Sequence, residues 1–151
     1  MTRILFVCLG NICRSPTAEV VFRARAARAG LAVTVDSCGT GGWHVGEAPH
    51  PPAIKAALAR GYDLRPLRAR QITRADFTAF DRILVMDRRN LSDAAALRPK
   101  GGTEPELFLS HAPGYGQDVP DPWYTGDFDA VLDMIEAASD GLIADLRAKR
   151  G

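Results

Sequence analysis

An open parallel α/β sheet of about four strands, covered by helices on both faces and forming one domain over residues 1–151, is the architecture this sequence predicts. Three observations carry that prediction. Arg3-Ile-Leu-Phe-Val-Cys8 is almost continuously apolar, the pattern of a strand buried on both faces. Comparable short runs return at Leu31 to Ser37 and at Arg82-Ile-Leu-Val-Met86, with helical spacing between them. With 151 residues and 46% hydrophobic content, the chain can bury one real core and is too short for two ordinary domains.

The first run ends in Leu9-Gly10-Asn11 and reads as a central strand entering a tight loop. Ser15-Pro16 then offers an N-cap followed by proline at the first helical position, and Ala18, Val20, Val21, Ala24 and Ala27 keep helical spacing up to Gly30. Leu31 to Ser37 is expected as the second strand and Pro51 to Gly61 as a helix. The Ile72 to Phe80 segment leads into the third strand, Arg82 to Met86. A helix over Arg88 to Leu97, a short extended piece near Leu107, a Gly/Pro-rich loop from His111 to Trp123 and a long amphipathic helix to the C-terminus complete the pattern.

Composition narrows the function. A formal net charge of +1 creates no global field to recruit nucleic acid or a membrane surface. The three cysteines, Cys8, Cys13 and Cys38, are an odd number with no C-x2-C pair, which argues against structural zinc and against a disulfide scaffold. The apolar stretch Ile4 to Leu9 is too short to span a bilayer, and Asn11 and Arg14 interrupt it before any cleavage signal. Free thiols in a reducing cytoplasm are the expectation. Gly39-Thr-Gly41-Gly42-Trp-His44 starts like a dinucleotide fingerprint, but its sixth position is His, so a nicotinamide site is rejected.

The chemistry concentrates in Cys8-Leu9-Gly10-Asn11-Ile12-Cys13-Arg14-Ser15, at the carboxyl end of the first strand, where ligands of open α/β sheets collect. A loop between a strand and a helix N-terminus aims backbone N–H groups and the helix dipole at one point, a cradle for a dianionic phosphate. Those groups and Arg14 favour an anionic sulfur at Cys8, which makes it a candidate nucleophile. Arg14 can offer its planar fork to two phosphoryl oxygens. Ser15 can donate to the sulfur, Gly10 permits close backbone approach, and Asn11 tolerates a left-handed conformation or ties the loop by its amide. Asp121, between Pro120 and Pro122, is the best-placed carboxylate to protonate a leaving oxygen. Trp43, Trp123 and Tyr124 are candidate walls for an aromatic leaving group.

Cys8-Leu-Gly-Asn-Ile-Cys13-Arg14-Ser15-Pro16-Thr-Ala-Glu19, together with Asp121-Pro122, resembles the low-molecular-weight protein tyrosine phosphatases. Gly39 to Gly46, Ala69-Arg-Gln-Ile-Thr73, Phe80 to Asp87 and Asn90-Leu91 are similar to the family as well, so the resemblance spans nearly the whole chain. It implies Cys8 as nucleophile and Arg14 as phosphate binder. It implies Asp121 as general acid and then general base, with Asn11 and Ser15 supporting the loop. Cys13 would correspond to a second cysteine able to form a reversible disulfide with the nucleophile. Tyrosine-phosphorylated proteins are the implied substrates, with no metal or organic cofactor. The chain departs from the family at His50-Pro51-Pro52-Ala53, where an Asp-x-Arg-Ala run is common, and at Trp123, where Tyr is frequent. Ile12 separates it from the related arginine phosphatases, which carry Thr there.

Bland readings stand beside these. Cys38 reads as a small buried hydrophobe. Asp87 and Asn90 read as residues that cap or pin elements, Trp43 and Tyr124 as walls or half-buried core aromatics, and His44, His50 and His111 as solvated. Two rivals remain: an arsenate reductase of the same fold, which needs downstream cysteines that this chain lacks after Cys38, and a phosphoprotein-binding module without turnover, which needs neither Cys8 nor Asp121.

Overall fold

A computed structural model describes residues 1–150. Four strands, β1 (Thr2–Cys8), β2 (Val33–Gly39), β3 (Arg82–Val85) and β4 (Pro105–Leu107), form one parallel sheet in the order β2-β1-β3-β4. β1 is therefore the central strand, as its apolar run predicts, and its C-terminal end lies where the strand order reverses.

Strand alternation sorts β1 between two cores. Ile4, Phe6 and Cys8 face α1 (Arg14–Arg28), α2 (Pro51–Leu58) and α6 (Phe128–Arg150), whereas Leu5 and Val7 face α3 (Asp76–Ala79) and α4 (Arg88–Leu97) with Phe77, Ile83, Val85 and Ala94. Phe6 meets Phe22 of α1 and Phe108 with ring centroids 5.6 Å and 4.9 Å away, which fixes the helix layer over the strand.

Several boundaries differ from the expectation. β2 starts two residues later and extends to Gly39, since its pairing with β1 runs from Val33 opposite Thr2 to Gly39 opposite Cys8. The α2 helix stops at Leu58, because the following turn carries Gly61 at φ +86°. β3 ends at Val85 rather than Met86. The expected loop from His111 to Trp123 is bounded by a 3-10 turn, Phe108–His111, and by a one-turn helix, α5 (Pro122–Thr125). The start of α1 is also corrected. Cys13 occupies the N-cap position without a side-chain cap bond, and Ser15 lies inside the first turn because its hydroxyl is committed elsewhere. Among the described residues no helix is long and apolar enough to cross a membrane.

Candidate active site

The loop after β1 winds tightly around one sulfur. Cys8 Sγ accepts the Asn11 N–H at 3.3 Å and shares a hydrogen bond with Ser15 Oγ at 3.0 Å. Asn11 adopts φ +58°, the only non-glycine residue with positive φ among the described residues, and its side chain secures that conformation. Asn11 Nδ2 donates to Ser15 Oγ at 2.8 Å and to Ser37 Oγ at 3.0 Å, while Oδ1 accepts the Arg70 N–H at 3.0 Å. Ser37 in turn donates to the buried Glu19 at 2.7 Å, so the loop is tied to α1, β2 and the Arg70 segment at once. Gly39 is needed beside it, because a Cβ there would lie 2.7 Å from the Leu9 carbonyl oxygen and 3.1 Å from Asn11 N.

Arg14 is only 3% exposed in its side chain, yet it is fully partnered on one edge. Its Nη1 donates to Asp87 Oδ2 at 2.7 Å and to the Val119 carbonyl at 3.0 Å. Burial by itself would lower its pKa, but Cys8, the hydrogen bond to Asp87 and the Asp121 charge outweigh that and raise it, so the guanidinium stays charged. Asp87 does what its bland reading expects, capping α4 through Asn90 N at 2.7 Å while holding Arg14. Asp121 stands across the cradle with Oδ2 3.6 Å from Arg14 Nη2, an ion pair rather than a hydrogen bond. It caps α5 through the Trp123 N–H at 3.0 Å rather than standing on an open loop.

The pocket is lined by Cys8, Leu9, Gly10, Ile12, Cys13, Arg14, Trp43, Asp121, Trp123 and Tyr124, together with His44. Asn11 and Ser15 are not part of the lining; both are buried behind the loop, in the supporting place expected of them, with their side chains engaged in the hydrogen bonds above. The core reading of Trp43 and Tyr124 fails, since they are 72% and 80% exposed, and with the half-exposed Trp123 they line the pocket as walls. Trp43 can fold back over its loop only because Gly41 lacks a Cβ, which would lie 1.7 Å from the indole.

The family model described as low molecular weight phosphotyrosine protein phosphatase matches residues 3–151. The chain belongs to that family. It is 38% identical to the low molecular weight protein-tyrosine-phosphatase YfkJ of Bacillus subtilis, over 99% of each chain. The crystal structure of YfkJ superposes with a TM-score of 0.94 at 37% identity, covering 100% of this chain and 98% of that one. A low molecular weight protein-tyrosine-phosphatase of Streptomyces coelicolor is 44% identical, over 96% of this chain and 93% of its own. A protein tyrosine phosphatase of Entamoeba histolytica matches with a TM-score of 0.94 at 31% identity, over the whole of both chains.

In this phosphatase the other two thiols are quiet. Burial, then the Cys8 and Asp121 charges, push Cys13 up to about 12 against the pull of Arg14. Burial likewise raises Cys38 well above an ordinary thiol, in keeping with its reading as a small hydrophobe. The histidines depart from the solvated expectation. His44 lines the pocket and pairs with Glu47 at 2.8 Å, His50 packs against Trp123 with the rings tilted by 42°, and His111 pairs with Glu106 at 2.8 Å in a mostly buried setting. His44 had one signal in the sequence, its place beside Trp43 in a loop at a strand's carboxyl end. Arg14's contact with the Val119 carbonyl had none, because a backbone acceptor carries no residue signature.

Proposed function

We propose that this phosphatase hydrolyses phosphotyrosine in protein substrates through a phosphocysteine at Cys8. The observation that supports this most is the convergence on one pocket of Cys8, with its sulfur accepting the Asn11 amide, the charged Arg14 and the carboxylate of Asp121. With Nη1 taken by Asp87 and Val119, Arg14 offers its Nε and Nη2 edge to the phosphoryl oxygens. The amides of the loop and the α1 dipole carry the remaining charge, as electrostatic stabilisation of phosphoryl transfer requires.

In the first step the Cys8 sulfur bonds to phosphorus as the phosphorus–oxygen bond to the aryl group breaks, and Asp121 gives its proton to the departing phenolate. In the second, Asp121 takes a proton from water, which attacks phosphorus and frees Cys8 and inorganic phosphate. Ser15 has a single hydroxyl hydrogen and two acceptors in reach, Cys8 Sγ at 3.0 Å and the Cys38 carbonyl at 3.2 Å. It donates to the sulfur when the sulfur is anionic and to the carbonyl when the sulfur is bonded to phosphorus, following the charge through the cycle. Trp43, Trp123 and Tyr124 flank the aryl ring. Cys13 lines the same pocket, where the family resemblance gives it a reversible disulfide with an oxidised Cys8, but burial holds it as a neutral thiol and so slows that attack.

Hydrolysis of p-nitrophenyl phosphate in excess chelator tests the reaction. Cys8→Ser should lower kcat by more than about 10³-fold; full turnover in that variant rules out the covalent route. A panel of phosphotyrosine, phosphoarginine and phosphoserine peptides tests the substrate, and faster cleavage of either of the latter two overturns phosphotyrosine.

A further inference from the structure

His50 occupies the N-cap position of α2, and its side chain makes no cap bond there. Its backbone is fixed nonetheless. The His50 N–H donates to the Ile12 carbonyl of the phosphate-binding loop at 2.8 Å, and its own carbonyl accepts Ala53 and Ile54 at 2.9 Å and 3.1 Å. Pro51 and Pro52 follow directly and stiffen the entry to the helix. The ring, free of capping, lies with its centroid 4.5 Å from Trp123, the shortest of the ring contacts made by the histidines of this rim; His44 is 6.3 Å from the same indole. Phe128 adds a ring 6.0 Å from His50.

Asp121 has little direct hold on the phosphate-binding loop. Its Oδ2 is 3.6 Å from Arg14, beyond hydrogen-bonding range, whereas Oδ1 accepts the Trp123 N–H at 3.0 Å. The carboxylate therefore goes where Trp123 goes, and Trp123 is half exposed apart from these rings. A chain of contacts runs from Ile12 through His50 and Trp123 to Asp121, joining the loop that binds phosphate to the residue that protonates the leaving group.

We infer that His50 is a positioning residue: its ring, anchored to the phosphate-binding loop, holds Trp123 and thereby sets Asp121 over the leaving oxygen. The inference rests on the reading of Asp121 as the general acid. A residue acting this way governs the step in which the acid is used and leaves phosphate binding alone. A misplacement of the acid by an ångström is enough to cost up to about 10²-fold, and the cost grows as the leaving group becomes poorer.

The test compares kcat/KM across aryl phosphates from p-nitrophenyl to phenyl phosphate, with competitive inhibition by inorganic phosphate measured alongside. His50→Ala should lose about 10-fold more on phenyl phosphate than on p-nitrophenyl phosphate. Phosphate inhibition should stay unchanged, and His50→Phe, which keeps a ring against Trp123, should restore the parental leaving-group dependence. Should His50→Ala fail to fold, His50→Gln removes the ring and carries the same comparison. An equal loss on all esters accompanied by weaker phosphate inhibition shows that His50 only supports the fold, and overturns the inference. The two readings fail separately: turnover in Cys8→Ser sinks the proposed reaction, whereas an inert Cys8→Ser, an Asp121→Asn that steepens the leaving-group dependence and a His50→Ala that does not steepen it sink only the role of His50.

Discussion

At Asp87 one carboxylate oxygen accepts the Asn90 amide at 2.7 Å and caps α4, while the other accepts Arg14 Nη1 at 2.7 Å. Asn is as good an N-cap as Asp, so Asp87→Asn keeps the cap and weakens the charged hold on Arg14. Thermal stability should change little, and kcat/KM for p-nitrophenyl phosphate should fall by about 10- to 10²-fold; a loss of melting temperature with unchanged kinetics would instead assign Asp87 to the helix alone. Asp121 belongs to the same scale. Asp121→Asn retains an oxygen for the Trp123 N–H but has no proton to give, so phenyl phosphate should slow by at least about 10²-fold and p-nitrophenyl phosphate by less. An equal loss for both removes Asp121 as the acid. That Cys8, Arg14 and Asp121 line one pocket could be expected from the sequence, because the three residue types occur together, at a strand-loop-helix junction and in a proline-bounded loop. The left-handed turn at Asn11 and the Ser15 contact with the sulfur were legible too, but the partners that fix them, Ser37 and the Arg70 and Cys38 backbone, were not, since those lie in distant segments.

Helix α6 owes its seat to a glycine in its middle. A Cβ on Gly141 would lie 1.7 Å from the His111 carbonyl oxygen, so α6 and the 3-10 turn approach as closely as backbones can. Alanine in a helix interior gains about 1 kcal/mol over glycine, but the clash is with backbone that has no rotamer to escape into, and overpacking costs about 1–3 kcal/mol. Gly141→Ala should therefore lower stability by up to about 2 kcal/mol in urea denaturation; a stabilised variant would show that the turn gives way freely. The sequence could announce α6 by its amphipathic spacing, but not the need for Gly141, because the partner lies thirty residues upstream. The start of α1 misled for a related reason: Ser15 has the side chain of a cap, and tertiary partners at Cys8 and Cys38 claim its hydroxyl.

Across the whole molecule, ion pairs tie elements that are distant in sequence. Glu106 on β4 accepts Arg82 Nε and Nη2 from β3, each at 2.8 Å, and pairs with His111 at 2.8 Å. Burial alone would raise its carboxyl, but the His111 and Arg82 hydrogen bonds and charges outweigh it and bring it down from 4.5 to about 2. A depressed carboxyl contributes stability that is present in full above its unfolded value and is lost as pH falls through the folded one. Stability should thus decline between pH 4.5 and about 2, and Glu106→Gln should flatten that decline in urea midpoints taken across the range. A parental slope in the variant would place the acid sensitivity elsewhere, for example at Asp140, whose hydrogen bond with Arg25 lowers it and joins α1 to α6.

The sequence by itself determined the alternation of strands and helices, the central place of β1 and the loop that carries Cys8 and Arg14. Each of these is written in local periodicity or in contiguous residues, where spacing sets the geometry. Tertiary structure alone decided that Asp121 comes to within 3.6 Å of Arg14, that Asp87 and Val119 hold one edge of that arginine, and that His50 packs against Trp123. Those contacts join residues 70 or more apart, or backbone atoms with no side-chain signature, and they exist only once the parallel sheet has gathered the carboxyl ends of its strands on one side.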